Sequence, residues 1–165
     1  MTEPEFAPER ILGVLQEYGV RCVLIGGFAA AIHGSPYVTF DVDVVPERTN
    51  GNLLRLSDAL RSMHARVWSA SEPEGVPFGH VARSLAANNV WNLVTDPGRL
   101  DLTFEPSGTT GYADLERDAI HLTVLGVDVD VASLADVIRS KEAAGRDKDR
   151  LALPVLRRIL DESGR

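Results

Sequence analysis

The fold class follows from two neighbouring stretches, Cys22-Val-Leu-Ile-Gly-Gly-Phe-Ala-Ala-Ala-Ile-His33 and Phe40-Asp-Val-Asp-Val-Val45. The first predicts a strand over 22–25, a glycine turn and a helix over 28–33, because a short apolar run meets two glycines and then an alanine-rich segment. The second alternates apolar and acidic residues until Pro46 stops it, which predicts another strand. A strand, a helix and a strand in this order indicate an α/β or α+β protein.

The sequence on either side extends this pattern. Apolar spacing, helix caps and turn residues predict the remaining elements. The predicted helices cover 7–19, 50–63, 111–117, 133–144 and 153–160, and the predicted strands cover 66–69, 90–95, 100–104, 120–125 and 127–131. The order αβαβα, then mostly β, then αα predicts a mixed β-sheet flanked by helices, with a helical C-terminus.

Length and charge indicate a single domain. The chain has 165 residues, of which 17 are basic and 24 acidic, so its formal net charge is −7. Residues 1–132 carry 9 basic and 18 acidic side chains, and residues 133–165 carry 8 and 6. We expect one domain over 1–165, with a core at about 10–132 and a basic helical segment at 133–165. Both lysines, Lys141 and Lys148, lie in that segment, which is the first place to expect a bound anion.

Composition argues against several classes of protein. No apolar run reaches the ~18 residues of a membrane span, and the N-terminus is acidic, so we expect no membrane association and a cytoplasmic location. Cys22 has no second cysteine to pair with, and the four histidines are too widely spaced for a zinc site. The net charge of −7 disfavours a large non-specific nucleic-acid surface.

Carboxylates are the first candidate site residues. Side chains alternate along a strand, so Asp41 and Asp43 share one face and can offer oxygen ligands to Mg²⁺. Such a pair is more often a solvated strand face, which is how we interpret the similar pair Asp128 and Asp130. Asp101, on the strand Leu100-Asp-Leu-Thr-Phe104, is either a third ligand or an edge carboxylate.

Candidate anion-binding groups lie elsewhere in the chain. Gly26 and Gly27 would let backbone N–H groups approach an anion, or they form only a tight turn. Lys141, Arg146 and Lys148 would attract a bound anion, or they form the solvated end of an amphipathic helix.

These motifs together resemble the nucleotidyltransferase superfamily and its signature hG[GS]…DxD…D. Two motifs are similar to those of minimal nucleotidyltransferases, a group that includes the AbiEii-type and MenT-type toxins. They are Gly26-Gly-Phe-Ala-Ala-Ala-Ile-His-Gly34 and Thr39-Phe-Asp-Val-Asp43. The segment 133–149 resembles the tail of that group, so the resemblance covers about residues 10–160. Two departures are the absence of a cation at Pro36-Tyr37-Val38 and a short C-terminal part.

The resemblance implies a nucleotidyltransferase fold and a Mg²⁺-dependent transfer of a nucleoside monophosphate from a nucleoside triphosphate such as ATP. Asp41, Asp43 and Asp101 would then be catalytic and hold two Mg²⁺ ions. Nucleotide binding would fall to the two glycines and the three cations of the C-terminal segment, namely Gly26, Gly27, Lys141, Arg146 and Lys148.

The identity of the acceptor stays open at this point. The resemblance to toxins implies the 3′ end of tRNA and a cognate antitoxin as a partner, whereas the short acidic chain suits a small molecule such as an antibiotic. A rival hypothesis is a non-catalytic nucleotide-binding or regulatory module that keeps the fold, which the missing cation near Tyr37 would allow.

Overall fold

The computed structural model describes residues 6–163, in which helices and strands mostly alternate. The seven helices are α1 (Pro8–Glu17), α2 (Gly26–Ile32), α3 (Asn50–Ser62), α4 (Ala82–Ala86), α5 (Tyr112–Glu116), α6 (Leu134–Ala144) and α7 (Asp147–Ser163). The seven strands are β1 (Cys22–Ile25), β2 (Asp41–Pro46), β3 (Arg66–Val67), β4 (Val90–Thr95), β5 (Gly98–Thr103), β6 (Ile120–Val124) and β7 (Val127–Val131). Within this part of the chain, no helix has the length and apolar character to cross a membrane.

All seven strands form one mixed sheet in the order β3-β4-β5-β2-β1-β7-β6. The central strand β2 runs antiparallel to β1 and parallel to β5. Strand β7 joins the other side of β1 in parallel. The centre of the sheet therefore combines β1 and β2, which are close in sequence, with β5, which lies more than fifty residues later in the chain.

Successive side chains of β2 lie alternately in the hydrophobic core and on the opposite face of the sheet. Val42 and Val44 are buried, at 0% and 1% exposure, on the face opposite to Asp41 and Asp43. Helix α1 contacts β2, β5, β7 and α3, while α2 contacts β1, β2 and α6. The helices thus cover the sheet in two layers, which confirms the expected mixed sheet flanked by helices with a helical C-terminus.

The structure differs from the sequence-based expectation mainly at helix boundaries. Helix α2 begins at Gly26 itself, so the two glycines are its first residues and not a separate turn. Helix α7 begins at Asp147, six residues before the predicted start at Leu153. Pro154 lies inside α7 on its exposed side, where water can bond the carbonyl that proline leaves free.

Candidate active site

Three carboxylates meet at the centre of the sheet. Asp41 and Asp43 come from β2, and the parallel register places Asp101 of β5 directly beside Asp43. One carboxylate oxygen from each of the three residues lies within 4.8 Å of the others. Within residues 6–163, no second group of three or more potential metal ligands occurs. The structure thus brings together all three carboxylates that the sequence singled out.

Two neighbouring side chains hold these carboxylates in place. The hydroxyl Oγ1 of Thr39 donates a hydrogen bond of 2.8 Å to Asp41 Oδ1. Arg99 Nη2 donates to Asp101 Oδ1 at 3.2 Å, and the guanidinium of Arg99 lies 4.0 Å from the ring centroid of Trp68. Sequence reasoning missed these supporting residues, although Arg99 and Asp101 are two apart on one strand, a spacing that places them on the same face.

The cluster holds more negative charge than its surroundings balance. Burial, together with the charges of Asp41 and Asp101, raises the pKa of Asp43 to about 8. Burial also raises the pKa of Asp101 to about 6, against the lowering effect of Arg99. Carboxylates crowded in this way favour either a proton or a divalent cation, since both relieve the repulsion. Three hard oxygen donors within reach of one another fit Mg²⁺.

The first two residues of α2 are packed tightly against the cluster. Gly26 has a φ of +80°, and a Cβ built on it would lie 2.8 Å from Asp43 Cγ. A Cβ on Gly27 would lie 3.2 Å from Thr39 Oγ1. These glycines therefore do more than form a turn, since the missing side chains allow α2 to approach both Asp43 and Thr39.

A cleft of about 600 Å³ opens over the carboxylates, a size that suits a nucleotide-sized ligand. Its walls include Gly26 and Gly27 from the start of α2, and also Lys141, Arg146 and Lys148. All eight site residues expected from the sequence therefore line one cavity: Gly26, Gly27, Asp41, Asp43, Asp101, Lys141, Arg146 and Lys148.

A buried acid organises the cations. Asp149 is fully buried, and its carboxylate accepts a 2.7 Å hydrogen bond from Arg146 Nε and lies 3.5 Å from Lys141 Nζ. Lys148, one residue earlier, is exposed and lowers the pKa of Asp43 through its charge. Sequence reasoning did not assign Asp149. The sequence does indicate this pair, because Asp149 follows Arg146 by three residues, a spacing that brings two side chains together at the start of a helix.

The segment around Tyr37 carries no cation of its own, but the start of α7 and the residue before it supply two to the same cleft. Tyr37 Oη donates a hydrogen bond of 3.4 Å to the carbonyl oxygen of Leu151, which ties this loop to α7. Arg146 and Lys148 line the same cleft as Tyr37. The cleft therefore has positive charge at a place where the local sequence offers none.

Other residues weighed from the sequence lie outside the cleft. Asp128 accepts a hydrogen bond from Thr123, and Asp130 bonds the His121 ring at 2.9 Å, which agrees with a solvated strand face. His33 Nε2 lies 2.8 Å from the carbonyl oxygen of Ala132. Trp91 Nε1 donates to the carbonyl oxygen of Leu85 at 3.0 Å. Residues of the 71–79 loop are likewise absent from the cleft walls among the described part of the chain.

Comparison with known proteins rests on structure. No family model matches the sequence, and no curated protein matches it either. The crystal structure of a putative nucleotidyltransferase from Thermotoga maritima matches this chain with a TM-score of 0.54 at 16% sequence identity. The match covers 96% of this chain and 97% of that one.

The chain has a nucleotidyltransferase fold. The match extends over nearly the whole of both chains, so the shared architecture includes the sheet and its flanking helices. This confirms the nucleotidyltransferase fold expected from the sequence. The narrower resemblance to AbiEii-type and MenT-type toxins stays a prediction, because an identity of 16% concerns the fold alone.

Proposed function

We propose that this protein is a divalent-metal-dependent nucleotidyltransferase that moves a nucleoside monophosphate from a nucleoside triphosphate to an acceptor hydroxyl. The observation that carries the proposal is the cluster of Asp41, Asp43 and Asp101, whose oxygens lie within 4.8 Å of one another in a cleft with three cations. The nucleotidyltransferase fold of the chain supports the same conclusion.

Asp41, Asp43 and Asp101 would hold two Mg²⁺ ions between them. The raised pKa values of Asp43 and Asp101 favour this assignment, since a divalent cation offsets the repulsion that causes them. When bound, Mg²⁺ supplies charge neutralisation at the attacking and leaving oxygens of the displacement. Thr39 and Arg99 keep Asp41 and Asp101 oriented toward these ions.

The chain's own cations would bind the triphosphate. Lys148 and Arg146 lie near Asp43 and Asp41, where the phosphates meet the carboxylate cluster. Asp149 fixes the positions of Arg146 and Lys141, so less entropy is lost when they contact phosphate oxygens.

The reaction would be an in-line displacement at the α-phosphorus. A bond forms between the acceptor oxygen and the α-phosphorus, the bond from that phosphorus to the bridging oxygen breaks, and pyrophosphate leaves. Asp101, when ionised, favours loss of the acceptor proton, which passes to solvent. The cleft positions the two reactants in line, which accounts for much of the catalysis expected of such a site.

The test is thermal unfolding with Mg²⁺ and each of the four nucleoside triphosphates, for wild type, Asp43→Asn and Asp130→Asn. A ligand at about 100 times its Kd stabilises by about 2.7 kcal/mol, a shift of about 5–10 °C for a chain of this size. We expect a Mg²⁺-dependent shift in wild type and Asp130→Asn and none in Asp43→Asn. Equal shifts in all three proteins would place the nucleotide elsewhere and contradict the proposal.

A second candidate is a non-catalytic nucleotide-binding module. The observation in its favour is the segment Pro36-Tyr37-Val38, which carries no cation. Release of pyrophosphate in the presence of Mg²⁺ and the nucleotide that stabilises the protein separates the two. We expect release that is lost in Asp43→Asn, whereas a stabilising nucleotide that is never turned over would favour the binding module.

A further inference from the structure

The elements that line the cleft differ in charge. Its cations come from α6, which carries Lys141, and from the start of α7, where Arg146 directly precedes the helix and Lys148 lies in its first turn. Beside Asp101, the residues of β4 and β5 that line the cleft are uncharged, and we term them the neutral wall: Val90, Asn92 and Thr103. This asymmetry separates a place for the triphosphate from a place for the acceptor.

Strand register puts the neutral wall next to Asp101. Asn92 of β4 lies directly opposite Asp101, and Val90 lies opposite Thr103. Paired residues of antiparallel strands share a face, so these side chains continue the surface that carries the carboxylate. The neutral wall is therefore the surface that a molecule reacting beside Asp101 would contact.

The cations act on the other two carboxylates. The charge of Lys148 lowers the pKa of Asp43, and the charges of Asp43 and Asp41 raise the pKa of Arg146. Asp101 has a different cation, Arg99, which is absent from the cleft walls in the described part of the chain. A triphosphate held by Lys148 and Arg146 therefore leaves the Asp101 side for the second substrate.

The chemistry of the neutral wall suits an uncharged molecule. Val90 is 48% exposed and offers apolar surface, while Asn92 and Thr103 offer hydrogen-bonding groups. A few polar groups among apolar ones are typical of small-molecule sites. An RNA acceptor would need several lysines or arginines along its phosphates, and this wall has none among the described residues.

We propose that the acceptor is an uncharged, partly apolar small molecule with a free hydroxyl, bound on the neutral wall beside Asp101. This inference rests on the proposed function and narrows it. The acceptor oxygen bonds to the α-phosphorus of the triphosphate as pyrophosphate leaves, and the hydroxyl proton passes to solvent through the Asp101 side of the cleft. The product is a phosphodiester between the acceptor and the nucleoside.

The test measures transfer of label from α-³²P nucleoside triphosphates with Mg²⁺. One set of reactions contains a panel of uncharged compounds that carry a hydroxyl next to an apolar ring, namely nucleosides, aryl glycosides and aromatic alcohols. The other set contains bulk tRNA. We expect label in at least one uncharged compound, with a KM that changes less than twofold between 50 and 300 mM salt, and no label in tRNA.

Two variants locate the acceptor. Val90→Asp places a charge on the neutral wall, and Val81→Asp changes a valine of equal exposure, 48%, outside the cleft. We expect Val90→Asp to raise the acceptor KM at least tenfold and to leave the Mg²⁺-nucleotide thermal shift unchanged, and Val81→Asp to change neither.

The outcomes separate this inference from the proposed function. Three results would each overturn the inference of an uncharged acceptor while the Mg²⁺-dependent nucleotide shift remained. They are label in tRNA, no label in any compound of the panel, and equal effects of Val90→Asp and Val81→Asp. Loss of that shift in wild type would instead overturn the proposed function, and the acceptor inference with it.

Discussion

Gly26 and Asp43 are in contact across the junction of α2 and β2, and no side chain larger than hydrogen fits between them. A Cβ on Gly26 would lie 2.8 Å from Asp43 Cγ and 2.9 Å from Asp43 Cβ. Gly26 also has a φ of +80°, a conformation that glycine adopts without strain. Gly26 thus meets two independent requirements, a positive φ and a close approach to the Asp43 carboxylate.

Gly26→Ala should therefore cost more than backbone strain. Gly126, in the turn between β6 and β7, is a matched control because its φ is +83° and nothing lies within 4 Å of the position that a Cβ would take. Left-handed strain costs about 1–2 kcal/mol in either variant. We expect Gly26→Ala to lower the Tm further and to abolish the Mg²⁺-nucleotide shift, which Gly126→Ala keeps. Equal behaviour of the two would contradict the contact.

Asp43→Asn should stabilise the metal-free protein at pH 8. The pKa of Asp43 is raised in the folded state from 3.8 to about 8, so the folded protein holds this proton more tightly than the unfolded chain. Its contribution to stability is complete below about pH 4 and is lost as the pH rises toward 8. Thermal unfolding in EDTA at pH 5 and pH 8 should show a smaller pH effect in Asp43→Asn. Asp130→Asn should behave as wild type.

Thr39→Val should weaken activity with little effect on the fold. The substitution keeps the shape of the side chain and removes the hydrogen bond from Oγ1 to Asp41. Loss of a group that orients a metal ligand costs about 10–100-fold in metal affinity or activity. Thr123→Val removes a hydrogen bond of the same length, 2.8 Å, to Asp128 and should leave the rate of transfer unchanged. A similar loss in both variants would mean that the bond to Asp41 has no special role.

Arg99→Gln should shift the pH dependence of transfer. The charge of Arg99 lowers the pKa of Asp101 and so opposes the effect of burial. Without it, Asp101 stays protonated to higher pH, and we expect the rate at pH 6 to fall more than the rate at pH 8. Arg117→Gln, which breaks an exposed 3.2 Å contact with Asp114, is the control. A uniform loss at both pH values would argue for a structural effect alone.

Asp149→Asn should raise the KM for the nucleotide, because Arg146 and Lys141 would lose the charge that positions them. We expect an increase of about tenfold, together with a loss of stability of about 2 kcal/mol, below the usual range for buried pairs since Arg146 is 58% exposed. Asp147→Asn, at an exposed carboxylate paired with Arg150, should change neither quantity. An unchanged KM would separate Asp149 from nucleotide binding.

The carboxylate cluster was accessible from the sequence because its geometry is local. A strand has a period of two, so the spacing of Asp41 and Asp43 already places both on one face. The turn residues Asp96-Pro97-Gly98 predict that the chain reverses direction between β4 and β5, and Asp101 lies on β5. The placement of Asp101 beside this pair came from the resemblance to a known family, and the parallel pairing of β5 with β2 was not predicted.

The supporting residues were not accessible in the same way. Arg99 reaches Asp101 within one strand, but its stacking on Trp68 depends on the neighbouring strands of the sheet. The burial of Asp149 depends on how α6 packs against α7. Helix α4 is five residues long, too short for a 3.6-residue period to be recognised in the sequence.

The parallel pairing of β2 with β5 also bears on how the chain folds during synthesis. Asp101 follows Asp43 by 58 residues, so it leaves the ribosome about 3–12 s later at ordinary rates of elongation. Until then, Asp41 and Asp43 lie on a strand with no third carboxylate beside it. The repulsion from Asp101 is therefore added to that between Asp41 and Asp43 only when β5 docks, after the hydrophobic residues of β1 and β2 have been synthesised.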